Sequence, residues 1–454
     1  MTTKLYTARW VLPITSGPIE RGAVAVEGTR IVGVGAAVEL SEKFPGAAVD
    51  DFGEAAILPG FVNCHSHLEL TAMRGFLERE EGDFFSWLKK VTVSRRERMT
   101  PDDLYVSAAW GALEAARAGV TCVGDASDSA ATSMRAAKDV GLRAIVYQEA
   151  FGPDAIDARE QFDKLREKIS RLRAAETTLV SVGVSPHAPY TVSGPLFELL
   201  TKYAIEEGLP VMIHAAESEA ETRLMLEGGG MFAESFRARG IEWRAPCVST
   251  IQYLERLGVL AARPLLAHCI RVDAEDIETI KRTGARVAHC PRSNAKLGHG
   301  RAPFAAFLSA QLDVGLGSDS VASNNNCDLL EEARYAVLAS RASGERLEGG
   351  RMMSCDDALR AATSGGAHAL GLGTQTGALA EGLEADLAVV GLRGVHQLPA
   401  YDSSSALVFA SSGHDVRMTM IAGREVFRDG RATTVDEEDL RARMIDIARR
   451  LAGV

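Results

Sequence analysis

Residues 57–67 read Ile-Leu-Pro-Gly-Phe-Val-Asn-Cys-His-Ser-His, an apolar run that stops on two histidines one residue apart. Side chains of an extended strand alternate faces with a period of two, so His65 and His67 point the same way and their imidazoles can converge on one ion. A strand that exits into a loop gives no core reason for two inward imidazoles. The pair therefore reads as half a metal site, and the other half has to come from other strand ends.

Seven more apolar runs of the same kind follow: VTCVGDAS, RAIVYQEA, VSVGVSPHA, PVMIHAAE, PLLAHC, RVAHCP and DVGLGSD. Between the runs lie segments with helical spacing and polar outer faces, such as LYVSAAWGALEAARAG, GPLFELLTKYAIEEG and AEDIETIKRTG. Strands buried on both faces read as continuous apolar runs, and their alternation with helices implies parallel pairing through crossovers. Eight such units predict an α/β fold, a distorted (β/α)8 TIM barrel with insertions. His65, His67, Asp125, Glu149, His187, His214, His268, His289 and Asp319 each sit where an apolar run gives way to loop, the rim on which such barrels build active sites. A doubly wound open sheet is the structural alternative, but it would not focus strand 1 and strand 8 on one point.

The flanks read differently. Residues 1–56 and 378–454 alternate apolar and polar residues around glycine turns, as half-buried antiparallel strands do, and the chain closes on the helical EEDLRARMIDIARRLA. Neither flank has enough sequence for a large core of its own. The expectation is one small β domain, a β-sandwich assembled from both termini with a terminal helix, and the barrel of residues 57–377 inserted between its halves.

The chain has 454 residues, of which 46% are hydrophobic and 24% charged, the composition of an ordinary globular protein. Its formal net charge of −11 argues against nucleic acid as a partner, since a phosphate backbone calls for a basic patch or stripe. No export signal and no apolar stretch of membrane-spanning length is evident, so a cytoplasmic protein with no membrane partner is expected. Seven cysteines without CxxC spacing fit reduced thiols.

His214 ends LPVMIH and is followed by Glu217, His268 ends PLLAH, and Asp319 lies in GLGSDS. Three imidazoles and a carboxylate, His65, His67, His214 and Asp319, make the best ligand set for one divalent ion, Zn²⁺ in preference to Fe²⁺, with room left for water. Such an ion lowers the pKa of a coordinated water from about 15.7 to about 7, which supplies a nucleophile at neutral pH. Glu217 can move the water's proton to a ring nitrogen or a leaving amine, and His268 can orient the water and stabilise the charge that develops. Asp319 can both touch the metal and accept a hydrogen bond from that water. Blander readings stand beside these. His187 or His289 alone reads as a satisfied buried histidine, Asp125 and Glu149 read as rim or cap carboxylates, and His299, His368, His396 and His414 lack the strand-end setting. Cys64, Cys269 and Cys290 adjoin site histidines, and strict alternation would turn them toward the helices.

The strings LPGFVNCHSHLELTAMRG, SPHAPYT, VMIHAAES, LLAHC, AHCPRSNAKLGHG and GLGSDSVASNNN, with EGLEADLAVV near the end, run in order along nearly the whole chain. In them the sequence resembles the amidohydrolase superfamily, in its branch of cytosine, guanine, adenosylhomocysteine and methylthioadenosine deaminases and s-triazine chlorohydrolases. The resemblance implies one divalent metal on His65, His67, His214 and Asp319, with Glu217 and His268 as the proton-transfer pair. It implies a substrate contact at His187, and His289 with Asn294 in the segment lining the pocket. It also implies a homodimer or homotetramer acting on a small-molecule substrate. HAAE keeps the glutamate that the chlorohydrolase replaces with threonine, which favours deamination.

One stretch departs from the family. Where adenosylhomocysteine deaminases place a ribose-holding carboxylate after a Trp-Leu pair, Trp87-Leu88 is followed by KKVTVSRRER, with Arg95 and Arg96 near that place. Guanidinium groups bind carboxylates or phosphates and cannot accept a hydroxyl proton, so either this is a solvated basic helix face or the substrate carries an anion. CPRSN and FFSWL are similar to the aminodeoxyfutalosine deaminases, whose substrate carries a benzoate. The expected activity is hydrolytic deamination of an adenine-type nucleoside such as aminodeoxyfutalosine or adenosylhomocysteine, with release of ammonia. The alternatives are hydrolysis of a ring C–Cl bond or of a cyclic amide or N-acyl group, and, outside catalysis, an inactive barrel serving as a binding or assembly module.

Overall fold

A computed structural model describes residues 2–453. The eight expected runs form eight strands: β1 (Phe61–Ser66), β2 (Val120–Ser127), β3 (Arg143–Ala150), β4 (Val180–Pro186), β5 (Met212–Ala215), β6 (Leu265–His268), β7 (Arg286–His289) and β8 (Val314–Leu316). β1 to β4 pair in parallel in sequence order, and so do β5 to β8. Single parallel bridges, Val184 with Val211 and Ser66 with Asp319, join β4 to the approach of β5 and the exit of β8 back to β1. The architecture is mixed α/β. The intervening helices end as their sequences ask. Gly194–Glu207 stops at Gly208 (φ 65°), and Ala274–Thr283 starts on an Asp273 capping box and stops at Gly284 (φ 71°), left-handed positions that glycine occupies without a Cβ clash.

The opening run is two strands, not one. Ala55–Pro59 belongs to another sheet, and the chain changes sheet at Gly60, whose N–H donates to the Asp386 carbonyl at 2.9 Å. A Cβ there would stand 2.0 Å from Thr121 Cγ2, so only glycine allows the crossing so close to β2.

That other sheet has nine strands and draws on both flanks. Lys4–Val11, Ile19–Glu27 and Arg30–Ala36 come from the front, and Leu387–Gly391, Val416–Ile421 and Arg424–Arg428 from the end. Ala55–Pro59 pairs antiparallel with Leu387–Gly391 and joins the two halves. Tyr6, Val24, Ile31, Leu387, Met418 and Met420 share one apolar cluster, which gives neither flank a core without the other. The terminal helix Glu437–Ala452 leaves this sheet. Its buried Leu440, Ile447 and Leu451 pack in the large cluster that surrounds β1 to β8.

Beneath β3 the two bodies are tied by an ion pair out of reach of solvent. Arg143 Nε and Nη2 donate to the two carboxyl oxygens of Asp386 at 2.9 and 3.2 Å, with side chains 4% and 0% exposed, and Ala422 N–H donates to the same carboxylate at 2.7 Å.

Alternation fails at Cys64. The β1 ladder slips in register between Asn63 and Ser66, and Cys64 packs with Cys122, Tyr147, Met212 and Ala288. The Met212 sulfur also lies 3.1 Å from His65 Nδ1, so Cys64 and His65 meet the same interior instead of opposite faces. All seven cysteines are free thiols.

Candidate metal centre and active site

The proposed ligands meet where the two parallel sheets meet. His65 and His67 leave β1, His214 leaves β5, and Asp319 follows β8 with its N–H donated to the His65 carbonyl at 2.8 Å. His67 Nε2 and His214 Nε2 approach to 3.2 Å, and Asp319 Oδ1 lies 3.4 Å from His65 Nε2 and 3.6 Å from His67 Nε2. Ligand atoms about 2.0–2.1 Å from one ion at tetrahedral angles stand about 3.3–3.4 Å apart, so these separations are the edges of a polyhedron around a single ion. Burial, then the neighbouring His65 imidazole, lowers His67 to about 3, and burial with the imidazoles around it holds His214 well below its ordinary value. Both rings are therefore neutral at pH 7 and present lone pairs, as metal ligands must. Burial acts upward on Asp319, but its His65 contact outweighs it and keeps the carboxyl ionised. His65 Nε2 is buried with no hydrogen-bond partner among the described residues, the condition of a donor atom reserved for something else. The residues fit one divalent ion.

Proposed ligands are oriented from behind. His214 Nδ1 faces the His187 carbonyl oxygen at 3.0 Å, which leaves Nε2 for the site. Asp319 Oδ2 accepts from Ser293 Oγ at 2.5 Å and Ser323 Oγ at 2.9 Å. Asp125, read from sequence as a rim or cap carboxylate, accepts from Leu68 N–H at 2.7 Å and Ser66 Oγ at 3.1 Å and so fixes the loop on which His67 sits. Three non-glycine residues here have left-handed backbones: Ala216 (φ 53°), His268 (φ 75°) and Asp319 (φ 58°). Such strain persists where the surroundings over-determine the chain, and it clusters at functional sites.

Beside the proposed ligands stand the residues proposed for proton transfer. Glu217 Oε1 lies 3.7 Å from His268 Nε2 and 3.8 Å from His299 Nε2, and its Oε2 accepts from Tyr190 Oη at 3.3 Å. Burial, then the Asp319 charge, raises Glu217 to about 8. Its backbone is held by Glu221, whose carboxylate accepts from the N–H groups of Ala216 and Glu217 at 2.9 and 2.8 Å. The Asn294 carbonyl oxygen lies 2.9 Å from His268 Nδ1. It can only accept there, so it sets the tautomer that leaves Nε2 free toward Glu217.

These groups open into a cavity of about 640 Å³, large enough for a small organic ligand. Helix α1 (Phe84–Arg98) covers one side with Phe84, Phe85 and Trp87, and helix α2 (Gly230–Ala238) supplies Phe232 and Phe236. Tyr190 and Phe232 stack at 4.2 Å between centroids, giving a flat aromatic wall beside Glu217.

Of the residues proposed for substrate contact, Trp87, Arg95, Arg96 and His187 line this cavity. Arg95 is already committed: it pairs with Glu69 at 2.8 Å and Asp128 at 2.7 Å and donates to Ser129 Oγ at 2.8 Å. Arg96 makes no ion pair among the described residues, and neither do Lys89 and Arg239, which line the same cavity. His289 is placed elsewhere. It packs on Phe304, with centroids 4.7 Å apart, and lines a separate cavity of about 260 Å³ behind helix α3 (Pro291–Lys296). Asn294 also faces that second cavity and reaches the main site only through His268.

Two residues read blandly from sequence belong to the site. His299 is buried, packs edge-on against Phe84 at 4.4 Å and reaches Glu217. Glu149 lines the main cavity with an unpartnered carboxyl oxygen. A carboxyl oxygen of Glu149 and ring nitrogens of His187 and His214 lie within 4.8 Å of one another, a second ligand-like group. It shares His214, whose Nε2 already faces His67 and whose Nδ1 is taken by a carbonyl, so it does not make a second metal centre.

Residues 56–426 match the amidohydrolase family, and residues 22–47 match the imidazolonepropionase-like composite domain of bacteria. A 5-methylthioadenosine/S-adenosylhomocysteine deaminase of Pelotomaculum thermopropionicum is 33% identical over 439 residues, 96% of this chain and 95% of that one. Among solved structures, a zinc-bound adenosine deaminase from Xanthomonas campestris superposes with a TM-score of 0.87 at 29% identity, covering 100% of this chain and 99% of the other. The atrazine chlorohydrolase of Arthrobacter aurescens, complexed with zinc, gives a TM-score of 0.84 at 24% identity, over 98% and 99% of the two chains, and shares the fold.

Proposed function

We propose, from the premise that this chain belongs to the amidohydrolase family, that it is a metal-dependent hydrolytic deaminase of an adenine-type nucleoside. The observation that carries this reading is Glu217, a carboxyl beside the ligand set and within 4 Å of two histidines, facing an aromatic wall on which a purine can stack. His65, His67, His214 and Asp319 would hold the ion, which supplies an activated water at neutral pH. In its ionised form Glu217 takes one proton from the attacking water and delivers it to the ring nitrogen, then takes the second from the new hydroxyl and delivers it to the amine, which departs as ammonia. His268, fixed by Asn294, faces the oxygen on which negative charge develops. Tyr190 and His299 hold the Glu217 carboxyl between those two tasks. We take the ion to be Zn²⁺ in preference to Fe²⁺, in line with the donor set and the zinc-bound neighbour. The same reading makes β1 to β8 a distorted (β/α)8 barrel, supported by the two bridges between the sheets, with the nine-stranded sheet as a separate small domain.

The free cations Lys89, Arg96 and Arg239 favour a nucleoside whose side arm ends in an anion, as the carboxylates of S-adenosylhomocysteine and aminodeoxyfutalosine do. Ammonia release from a panel of adenosine, S-adenosylhomocysteine and carboxylated adenosine analogues tests the activity. Arg96→Ala combined with Arg239→Ala should raise KM for carboxylated members about 10-fold and leave adenosine within about 2-fold. Equal effects on charged and uncharged nucleosides would remove the anion from the account.

A further inference from the structure

We propose that Glu149 is a specificity-determining residue: its carboxyl and the free ring nitrogen of His187 bind the paired ribose hydroxyls of the nucleoside. This rests on the deaminase reading and adds to it the group that recognises the sugar.

Glu149 lies at the end of β3 on the cavity wall, 8% exposed, and its Oε1 has no hydrogen-bond partner among the described residues. A polar atom buried so completely and left unpaired costs stability unless a ligand completes it. The same wall offers a second acceptor. His187 Nδ1 lies 2.8 Å from Thr191 Oγ1, and that hydroxyl is 3.1 Å from the Ala188 carbonyl to which it donates, so His187 Nδ1 is the donor and Nε2 keeps its lone pair. Glu149 Oε1 and His187 Nε2 stand 4.0 Å apart, a separation at which each can take one of two neighbouring hydroxyls.

The carboxylates of Glu69 and Asp128, which line the same cavity, are taken by Arg95, and α1 lines it with the Thr92 hydroxyl and cations but, among the described residues, with no carboxylate. Burial, then the Glu69 and Asp128 charges, raises the Glu149 carboxyl above its ordinary value.

The test compares each ribonucleoside of the panel with its 2′,3′-dideoxy counterpart in the metal-loaded protein, for wild type, Glu149→Gln and Glu149→Asp. Wild type should prefer the ribonucleoside by about 10- to 100-fold in kcat/KM. Glu149→Gln should shrink that preference to within about 3-fold, chiefly through a higher KM for the ribonucleoside. Glu149→Asp should recover part of it. The inference is overturned if wild type treats both sugars alike, if both variants keep the preference, or if both lose activity equally on the two substrates. A wild type that deaminates dideoxy and ribonucleosides equally overturns the role of Glu149 and leaves the deaminase reading standing, whereas release of ammonia from neither overturns both.

Discussion

Glu217→Gln should lower turnover by about 10³-fold or more, with metal content near that of wild type. The amide keeps the shape and the Tyr190 contact but cannot take a proton from water and return it to the substrate. Position is not at issue, because the backbone here is set by Glu221, through the N–H groups of Ala216 and Glu217, and not by the Glu217 side chain. On this reading ligation is not at issue either, since the proposed donor atoms are those of His65, His67, His214 and Asp319. A loss that appears in kcat and kcat/KM alike would identify an interaction made on the way to the transition state. Metal analysis decides between two explanations of an inactive variant. Normal metal with no turnover supports the proton-transfer role, and loss of metal would make Glu217 a ligand and refute it.

Asp386→Ala should destabilise the protein by about 3–5 kcal/mol, the largest effect expected away from the site. Arg143 would be left buried and charged with no counter-ion, and the Ala422 N–H would lose its acceptor. The pair joins the first residue of β3 to the nine-stranded sheet, so the variant should unfold at lower urea with that sheet detaching first. An apolar replacement of both partners, Arg143→Met with Asp386→Leu, should recover much of the loss, because it removes the buried charges together. Urea titration followed by far-UV circular dichroism measures both. A single variant within about 1 kcal/mol of wild type would show that the tie is not needed.

The strand ends were legible in the sequence because each ligand closes an apolar run, and a run of that kind has one exit. His65, His67, His214, His268 and Asp319 could be named from that alone, and the structure brings them together with Glu217. What could not be read depends on partners far along the chain. The partners that occupy Arg95, Glu69 and Asp128, lie 26 residues before and 33 after it, and nothing in the local sequence marks them. His299 sits in a glycine loop with no apolar run to mark it, and only the fold places it against Phe84 and Glu217. His289 ends a strand as His268 does, yet it faces a separate cavity, so the strand-end rule selects candidates without saying which cavity they face. The strand expected from Ile57 broke at Gly60 because a close approach to Thr121, invisible in the run itself, requires a glycine there. The departure of Cys64 from alternation follows from the register slip in β1, which no period-two reading contains.

The central claim is that the ligand set and Glu217 together release ammonia from an adenine-type nucleoside. Its most direct test is ammonia release from S-adenosylhomocysteine and adenosine by the protein as purified, after exhaustive chelation, and after return of one equivalent of Zn²⁺. The account predicts release, its loss on chelation and its return with metal. Metal-replete protein that releases no ammonia from any adenine nucleoside, or chelated protein that keeps its full rate, would contradict it.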